Sequence, residues 1–425
     1  MMEMKKYKLS EIASFIGSGM TPLRSNEKYW NSKDYPWLKT EQLGEYQIFD
    51  TNEYISKVAL EETNLKLFPK NTLSVAMYGE GKTRGNVSIL AEQMTTNQAC
   101  CNIIVDNKFA NYEFVYYWLK NSYYKLRSLS SGIRNNLNTE DIKKFEINLP
   151  SLPTQQKIAA ILSSLDDKIA LNKKINAKLE AMAKRLYDYW FVQFDFPNEE
   201  GKPYKSSGGK MEYNATLKRD IPEGWEVVEM SSVIKQINTG LNPRDNFILG
   251  NGKIKYVTVK NLTEEGHIDF SNCDLVNSEA QKIIHERSQI QKGDILFASI
   301  CPLGRCYLIQ DSPEDWDINE SVFSIRPNID KITSEFLYTL LREAYYVKKM
   351  TQKATGSIFK GIRINDIEKI EIVLPPKEVI NAFSKKVLSI FNYQLTIQKE
   401  IQKLTDLRDR LLPLLMNGQV EVENI

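Results

Sequence analysis

The residues of this 425-residue chain whose types and spacing could support chemistry lie mainly in its first hundred positions. Residues 15–19 (FIGSG) fit the F-x-G-x-G loop of methyltransferases, in which glycines let the backbone approach a methionine-derived cofactor. The companion motif for a target amine, Asn or Asp followed by Pro-Pro and an aromatic residue, occurs nowhere in the sequence. A self-contained methyltransferase therefore remains an alternative, although only one of its two expected motifs is present.

A second motif, residues 76–83 (AMYGEGKT), is one residue away from a nucleotide-binding P-loop. Alanine stands at the first glycine that the P-loop requires. Residues 84–89 (RGNVSI) have the pattern of a strand, whereas a P-loop needs the N-terminus of a helix to hold phosphate. Glu80 and Lys82 could end a nuclease E-x-K signature, but no suitably spaced acidic residue precedes them. The sequence predicts neither nucleotide hydrolysis nor a nuclease site.

Histidine and cysteine patterns also argue against a catalytic or metal site. The two histidines, His267 and His285, lack the spacing of metal ligands, and Cys301 and Cys306 have no second pair to complete a zinc site. Five cysteines in a chain of this size fit reduced, buried thiols better than a disulfide framework. We therefore expect a non-catalytic protein that binds no metal.

Two basic stretches are the best indication of a polyanionic partner. Residues 118–139 contain four Lys or Arg and no acidic residue, and residues 344–365 contain five Lys or Arg, again without an acidic residue. Lys and Arg neutralise phosphates, while neighbouring Gly, Asn, Ser and Thr residues supply hydrogen-bond donors. The alternative is a solvated helix face followed by a loop. Recurrence at the same place in two segments leaves a polyanion and a solvated helix face about equally supported.

The elements that must position these residues are repeated. Residues 37–43 (WLKTEQL) match residues 256–262 (YVTVKNL), displaced by 262 − 43 = 219 positions, and small insertions raise the displacement to 374 − 149 = 225 at a shared Leu-Pro pair. A solenoid repeat has about 20 to 50 residues, so the chain is predicted to contain two related domains. Matched frameworks with different loops suggest two related surfaces that hold two related, non-identical objects.

Each copy ends in a long helical pattern, and Thr154 is the predicted N-cap of the first. Apolar residues alternate in steps of three and four, as in a coiled coil. The first seam is Ile158, Ile161, Leu165, Ile175, Leu179, Met182 and Leu186, and the second is Ile380, Phe383, Val387, Ile390, Ile397, Ile401, Leu404 and Leu411. Polar Asn172 and Gln394 interrupt the seams at equivalent positions, 394 − 172 = 222, which is typical of residues that fix coiled-coil register. We expect antiparallel pairing, the alternative being that each helix packs on its own domain.

Short β-rich segments, Gly and Asn turns and helices within each copy predict an α+β fold. The predicted organisation is a first domain at 1–150, a long helix at 151–195, a linker at 196–222, a second domain at 223–375, and a second long helix with a tail at 376–425. The formal charge of +2 does not select a partner. No signal-like segment and no apolar run of about 18 residues occurs, so a cytoplasmic location and no membrane partner are expected.

A set of motifs in fixed order covers nearly the whole chain. The motifs are GSGMTP (17–22), YW (29–30), WLKTEQL (37–43), AMYG (76–79), TNQA (96–99), the Leu-Pro pairs before the long helices, GKPYKSSGG (201–209), IPEGW (221–225) and RDRLLPLLMNGQV (408–420). Taken together they strongly resemble the specificity subunit of type I restriction-modification systems.

The resemblance implies two pseudo-symmetric target recognition domains, separated by a long antiparallel coiled coil that sets the gap between the halves of a bipartite double-stranded DNA target. Two modification (methyltransferase) subunits and the restriction (motor-nuclease) subunits would be the protein partners of this prokaryotic chain. They would use S-adenosylmethionine, ATP and Mg²⁺, whereas this chain would bind no cofactor. The main rival is an adhesin-like or scaffold protein with no role in nucleic-acid binding.

Polar and basic residues near the loops are the candidate DNA contacts, because Lys and Arg bind phosphates and Asn, Gln, Arg and Thr can read base edges. In the first copy they are Arg24, Lys39, Thr40, Gln42, Lys82, Arg84, Arg134 and Asn135. In the second copy they are Arg244, Lys260, Asn261, Arg305, Lys360 and Arg363. Neither the base sequence nor the gap length follows from spacing alone.

Overall fold

The structure is a computed structural model that describes residues 3–79, 81–129, 136–356 and 360–420. The chain divides into two compact units, of which unit 1 is Met1–Asn172 with Glu400–Ile425 and unit 2 is Lys173–Lys399. Both boundaries fall inside long helices. Each unit therefore consists of one globular copy together with part of each long helix.

Unit 1 mixes short strands and short helices. Its strands are β1 (Lys5–Lys8), β2 (Ala13–Ser18), β3 (Tyr35–Leu38), β4 (Gln47–Ile48), β5 (Glu53–Ile55), β6 (Leu73–Ala76), β7 (Val87–Leu90), β8 (Thr95–Thr96), β9 (Cys100–Val105) and β10 (Glu146–Leu149). Its helices are α1 (Leu9–Ile12), α2 (Lys57–Glu62), α3 (Tyr112–Asn121), α4 (Tyr123–Ser128), α5 (Thr139–Lys143) and the first part of α6 (Leu152–Tyr187). A strand, β7, follows the P-loop-like motif as the sequence predicted.

The strands of unit 1 form two sheets and a separate pair. The larger sheet has the order β2-β9-β6-β7-β4, and the smaller has the order β5-β3-β8, in which β3 and β8 are parallel. Strands β1 and β10 pair antiparallel, so the two ends of the copy meet. Every residue of β6 and β7 is buried, and the fully buried Phe114, Tyr116 and Tyr117 of α3 belong to the same core.

Unit 2 is likewise built from short strands and short helices. Its strands are β11 (Met211–Asn214), β12 (Arg219–Pro222), β13 (Glu226–Glu229), β14 (Ile234–Thr239), β15 (Ile254–Val257), β16 (Asp274–Val276), β17 (Ile295–Ala298), β18 (Cys306–Leu308), β19 (Trp316–Ile318), β20 (Val322–Pro327) and β21 (Glu371–Leu374). Its helices are the second part of α6, α7 (Ser278–Ser288), α8 (Ser334–Leu341), α9 (Ala344–Lys353), α10 (Ile364–Glu368) and the first part of α11 (Lys377–Met416).

The sheet topology establishes the repeat that the sequence suggested. In unit 2 the order β14-β20-β17-β18 repeats β2-β9-β6-β7, and β16-β15-β19 repeats β5-β3-β8. The smaller sheet again contains one parallel pair, in which Tyr256 faces Asp317 as Trp37 faces Thr95. Strand β4 of unit 1 and the hairpin β11-β12 of unit 2 have no counterpart among the described strands. The α+β prediction with two pseudo-symmetric copies is therefore confirmed.

Two glycines are explained by this packing. A Cβ atom at Gly19 would lie 2.1 Å from the backbone oxygen of Thr96, and one at Gly240 would lie 1.7 Å from that of Ile318. Real Cβ atoms do not approach a backbone oxygen so closely, so β2 and β14 can end against β8 and β19 only where the side chain is a hydrogen. The second glycine of FIGSG therefore has a structural role in strand packing.

The first long helix begins before its predicted N-cap, Thr154. Helix α6 starts at Leu152, and the preceding Ser151 accepts a hydrogen bond on its hydroxyl from the N–H of Thr154 at 3.4 Å. Pro153 fits the first turn because that turn needs no N–H from it. The predicted cap at Thr154 was therefore wrong by one turn. Among the described residues, no helix is long and apolar enough to span a membrane.

Parts of the two long helices pair antiparallel within each unit. In unit 1 the Arg408 guanidinium lies 2.6 Å from the Asp166 carboxylate, and the side-chain amide of Asn172 donates to Glu400 at 3.0 Å. In unit 2 the side-chain amide of Gln394 donates to Glu180 at 3.3 Å. Residue numbers rise along one helix as they fall along the other. This confirms antiparallel pairing over the alternative of isolated helices.

The buried seam of α6 differs from the predicted one. Its buried residues are Gln155, Ile158, Ala159, Leu162, Asp166, Ile169, Asn172, Asn176, Ala183 and Tyr187. The predicted seam residues Leu165 and Leu179 are only partly buried, and Met182 is 55% exposed. Polar residues occupy this face, and two of them, Asp166 and Asn172, have hydrogen-bond partners on α11. In α11 the predicted Ile380, Phe383, Val387 and Ile397 are buried, as is Gln394.

The segment 196–222, predicted to be a linker, packs into the core of unit 2. Phe196 is 6% exposed and Ile221 is 1% exposed, and the ring of Phe196 lies 5.0 Å from that of Trp225. Its hairpin β11-β12 is paired over four residues. The composition of this segment, rich in Gly, Ser and Lys, concealed the few aromatic and aliphatic residues that anchor it.

Replacing Arg408 with Met should destabilise unit 1. The Asp166 carboxylate is almost fully buried, and its two oxygens accept hydrogen bonds from Arg408 at 2.6 Å and from the Tyr117 hydroxyl at 2.8 Å. Because removing one partner leaves a buried charge without compensation, we expect a loss of about 3 kcal/mol in the free energy of unfolding. Urea denaturation with hydrogen exchange of α3 and α6 measures it.

The matched control is Arg410→Met, which removes an exposed arginine two positions further along α11 and should change stability by less than about 0.5 kcal/mol. The double variant Asp166→Asn with Arg408→Met should recover part of the loss, since no buried charge then remains. An Arg408→Met loss no larger than that of the control would contradict the assigned role of this ion pair.

Candidate nucleic-acid interface

Three loop segments of unit 1 that carry predicted contact residues are joined by hydrogen bonds. We name them the turn (residues 39–44), the hairpin loop between β6 and β7 (77–86) and the basic segment (129–138, of which 129 and 136–138 are described). The side-chain amide of Asn86 donates to the carbonyl of Leu43 at 3.1 Å, and the N–H of Leu137 donates to the carbonyl of Met77 at 3.0 Å. The three segments therefore form one continuous surface.

Unit 2 builds the same surface from its own sequence. Its turn is residues 258–266, its hairpin loop is 299–305, and its basic segment is 354–363, of which 354–356 and 360–363 are described. The N–H of Ile362 donates to the carbonyl of Ser299 at 2.8 Å, which repeats the bond between Leu137 and Met77. Arg305 lies 3.1 Å from the Glu264 carboxylate and thus links the hairpin loop to the turn.

Helix α4 supports the hairpin loop of unit 1 through one arginine and one tyrosine. The Arg127 guanidinium donates to the carbonyl of Gly81 at 2.7 Å and to that of Arg84 at 2.8 Å. The Tyr123 hydroxyl donates to the carbonyl of Lys82 at 2.8 Å. Three carbonyls of a glycine-containing loop are thereby held by a rigid helix, which limits the conformations in which the Lys82 and Arg84 side chains are presented.

Two predicted cations of unit 1 share one carboxylate. Glu53 forms an ion pair with Arg24 and lies 2.6 Å from the Lys39 ammonium. The hydrogen bond from Arg24 lowers the pKa of Glu53, which keeps its carboxylate ionised, and Glu53 raises the pKa of Lys39. The Arg24 guanidinium also lies over the Trp30 ring at 3.8 Å. Both cations are thus held in place beside the turn.

The structure places the predicted contact residues in three classes. Exposed are Arg24, Lys82, Arg244, Lys260, Lys360 and Arg363. Partly buried are Lys39, Thr40, Gln42, Arg84 and Arg305. Arg134 and Asn135 lie outside the described residues. Lys82 and Arg84 of the hairpin loop of unit 1 therefore share one surface with Thr40 and Gln42, as Arg305 does with Lys260, Lys360 and Arg363 in unit 2.

Asn261 differs from the others because it is 3% exposed. Its side-chain oxygen accepts from the N–H of Thr258 at 2.8 Å, and its amide donates to the carbonyl of Asp269 at 3.2 Å. Its counterpart Gln42, at 261 − 42 = 219, also contacts a following loop but as an acceptor, because its side-chain oxygen accepts from the N–H of Asn52 at 3.2 Å. In this conformation Asn261 shapes the turn instead of presenting its amide to a ligand.

Sequence reasoning did not select Asn86 or Arg127 as site residues. The pairing of Val75 with Val87 and of Phe297 with Cys306 makes Asn86 the counterpart of Arg305, since 305 − 86 = 219. The hairpin loop of unit 1 is three residues longer than that of unit 2, so a comparison of the two sequences alone does not pair these positions. The signal for Arg127 was its place in the acid-free stretch, but only the contacts reveal that it holds the loop.

The buried polar cluster of unit 2 has the composition of a hydrolase triad but a different geometry. The His285 imidazole lies 3.1 Å from one Asp317 oxygen, and the Ser288 hydroxyl donates to the other at 2.6 Å. A nucleophilic serine must contact the histidine, which in turn contacts the acid. Here both contact the acid, so the cluster stabilises the buried Asp317, whose pKa is raised by burial.

Among the residues that the structure describes, neither the cysteines nor groups of metal-ligating residue types form a recognisable catalytic or metal centre. All five cysteines are free, as the sequence predicted, and burial raises the pKa of Cys100 and Cys306 to about 12. Thiols with such pKa values are poor nucleophiles at neutral pH. Among the described residues, no three or more His, Cys, Asp or Glu side chains are grouped so as to hold a metal ion.

Comparison with known proteins agrees with the duplicated surface. A family model described as the type I restriction modification DNA specificity domain matches the chain twice, over residues 1–181 and 222–406. The two matches begin 222 − 1 = 221 residues apart, which is the displacement of the structural repeat.

Individual relatives align with most of the chain. It is 30% identical over 426 residues to the type I restriction enzyme MjaIX specificity subunit of Methanocaldococcus jannaschii, covering 98% of this chain and 94% of that protein. It is 28% identical over 351 residues to the HindI specificity subunit of Haemophilus influenzae, covering 70% of this chain and 74% of that protein. The crystal structure of an S subunit from M. genitalium has the same fold, with a TM-score of 0.57 at 18% identity over 97% of this chain and 96% of that one.

Proposed function

We propose that this chain, which belongs to the type I restriction-modification DNA specificity family, is the DNA-specificity subunit of a type I restriction-modification complex. The observation that carries the proposal is the duplicated surface of turn, hairpin loop and basic segment, one in each copy that the family model matches. Each copy reads one half of a bipartite double-stranded DNA target. The chain itself selects the site and performs no chemistry on it.

Phosphate contacts position each domain and base contacts give it specificity. Exposed cations such as Lys82, Lys260 and Arg363 bind the backbone, which provides most of the sequence-independent affinity. Arg305 and the side chains of the turns reach base edges in the major groove, where Arg favours guanine and Gln favours adenine. Asn261 acts indirectly, by holding the turn of unit 2.

Specificity differs between the copies because their equivalent positions differ. With the displacement of 219, Lys39 corresponds to Thr258, Glu41 to Lys260 and Asn86 to Arg305. These exchanges change charge or hydrogen-bonding type on an otherwise repeated backbone. Two surfaces of one architecture therefore present two different sets of donors and acceptors, as two unlike half-sites require.

The long helices set the gap between the half-sites and dock the partners. A protein with an internal pseudo-twofold repeat recruits two copies of a partner, so two modification subunits bind, one per copy. Restriction subunits join the complex to cut DNA. The S-adenosylmethionine, ATP and Mg²⁺ of the reactions are bound by these partners in the cytoplasm of the prokaryotic host.

A salt titration tests the proposal. The chain assembled with its modification subunits should bind a duplex carrying the methylated host sequence, with an affinity that falls steeply as salt rises. Arg363→Gln should weaken binding to every sequence alike and reduce the slope of log affinity against log salt by about 1, because one phosphate contact is lost. Fluorescence anisotropy at several salt concentrations gives both values.

Lys178→Gln is the matched control, since Lys178 is an exposed cation of α6 and belongs to none of the loop segments that form the candidate surfaces. It should leave the salt slope unchanged. If the assembled complex shows no salt-dependent affinity for duplex DNA, the scaffold interpretation is correct and the proposed function is wrong.

A further inference from the structure

Unit 1 contains a cleft between its hairpin loop and helices α3 and α4. Its lining residues are Gly44, Gly81, Lys82, Gly85, Asn86, Val87, Lys120, Tyr123, Tyr124 and Arg127. Three of these are cations, and none of them is acidic. Gly81 leaves open space, because a Cβ atom there would meet no atom within 4 Å. The cleft therefore offers positive charge and room to a ligand.

Lys120, at the end of α3, is a cation of this cleft without a direct ion pair among the described residues. Its ammonium lies 3.3 Å from the Tyr116 hydroxyl, and no described carboxylate lies within 4.0 Å of it. Burial lowers the pKa of Lys120, although the more distant carboxylates of Asp166, Asp409 and Glu45 favour its charged form. An anion in the cleft would supply a direct counter-charge.

The equivalent position in unit 2 already holds an anion. Arg342 corresponds to Lys120, since 342 − 120 = 222, and its guanidinium lies 2.5 Å from the Glu180 carboxylate of α6. The same guanidinium donates to the Tyr338 hydroxyl at 2.5 Å and to the carbonyl of Glu264 at 2.7 Å. At this position the two copies differ: a carboxylate of the protein contacts the cation directly in unit 2, and no described carboxylate does so in unit 1.

We propose that the cleft of unit 1 binds one phosphate of the DNA backbone and that Lys120 is its charged ligand. The inference rests on the proposed function and goes further, because it assigns a phosphate site to one copy only. Lys82 belongs to the same lining and to the hairpin loop, so the cleft is continuous with the candidate surface. In unit 2 the internal carboxylate takes the place of the phosphate, and Arg342 instead ties the turn to α6.

The test combines a protein variant with neutral phosphate analogues in the DNA. The assembled complex is titrated with duplexes of its mapped target in which a single phosphate is replaced by an uncharged methylphosphonate, one position at a time. At one phosphate, in one half-site, the replacement should weaken wild-type binding about tenfold, the value of one charge-assisted hydrogen bond. In Lys120→Met the same replacement should change affinity less than about twofold.

Lys125→Met is the matched control, because it removes an exposed lysine of α4 that does not line the cleft, and it should keep the tenfold effect. Lys120→Arg, which retains the charge, should also keep it, and thermal melting checks the fold of each variant. If Lys120→Met does not fold, Lys120→Gln and Lys120→Arg make the same comparison.

The proposal is overturned if replacing that single phosphate weakens binding by Lys120→Met as much as it weakens binding by the wild type. Equal affinity of that variant and the wild type for the unmodified duplex would overturn it too. Both results would leave the proposed function intact, because salt-dependent binding by the wild type is measured in the same titration. Absence of that salt dependence in the wild type would instead refute the proposed function, and the phosphate site with it.

Discussion

Four residues inserted into each long helix, between Asn172 and Lys173 and between Lys399 and Glu400, should lengthen the gap between the two half-sites. The insertion points are the boundaries of the two units, so the contacts inside each unit are kept. Four residues add about 6 Å of helix, which corresponds to roughly one to two base pairs along DNA. Both half-sites should keep their own sequences, because the recognition surfaces are untouched.

Sequencing of methylated bases in cells that carry the variant measures the gap. The matched control places the same four residues after Glu199, in an exposed loop outside both helices, and should leave the gap as it was. A variant that methylates the original site with the original gap would show that the helices do not set the spacing.

Exchange of residues 1–150 for the corresponding segment of the Methanocaldococcus jannaschii relative should replace one half-site completely and leave the other unchanged. This segment contains the turn, the hairpin loop and the basic segment of unit 1, and its strands pair only with one another: β1 pairs with β10, and β2 with β9. Unit 2 has its own sheets and its own core, so its base contacts should survive.

The reciprocal exchange of residues 223–375 should alter the second half-site alone. Methylated-base sequencing reads both results, and a duplex with one original and one new half-site confirms them by binding. Independent reading is contradicted if either exchange alters both half-sites while the protein still folds and methylates DNA.

The repeat was predictable from sequence because both copies have the same backbone framework, which requires similar residue types at equivalent positions. The second glycine of the Gly-x-Gly motif, the residues of β3 and β15, and the Leu-Pro pair before each long helix recur at nearly constant displacement. The structure explains the recurrence of the glycine directly. Gly19 and Gly240 both end a strand where no Cβ atom fits.

The exact helix seam was less predictable because it contains paired polar residues. Asp166 and Asn176 are buried in α6, where a pattern search for apolar residues would place Leu165 and Ile175. Arg408 makes the burial of Asp166 possible, yet the two residues are 408 − 166 = 242 positions apart. A partner so distant in sequence leaves no local signal.

The roles of the residues in the candidate site were hard to predict from sequence for the same reason. The acid-free stretches pointed to loops next to the turn and the hairpin loop, but not to the contacts that each residue makes there. Asn261 resembled a base-reading amide and instead caps a turn, while Arg127 resembled one more surface cation and holds two carbonyls of the hairpin loop. Such roles depend on which carbonyl lies within hydrogen-bond distance, and that follows from the tertiary fold alone.

The most direct test of the account is to sequence the methylated bases in host DNA that depend on this chain. The two surfaces share one architecture but differ in their side chains, so we predict one methylated bipartite motif with two unlike half-sites at a fixed separation. Methylation of this motif should be lost when the gene is deleted. A single uninterrupted motif, two identical half-sites, or methylation that persists without the chain would contradict the account.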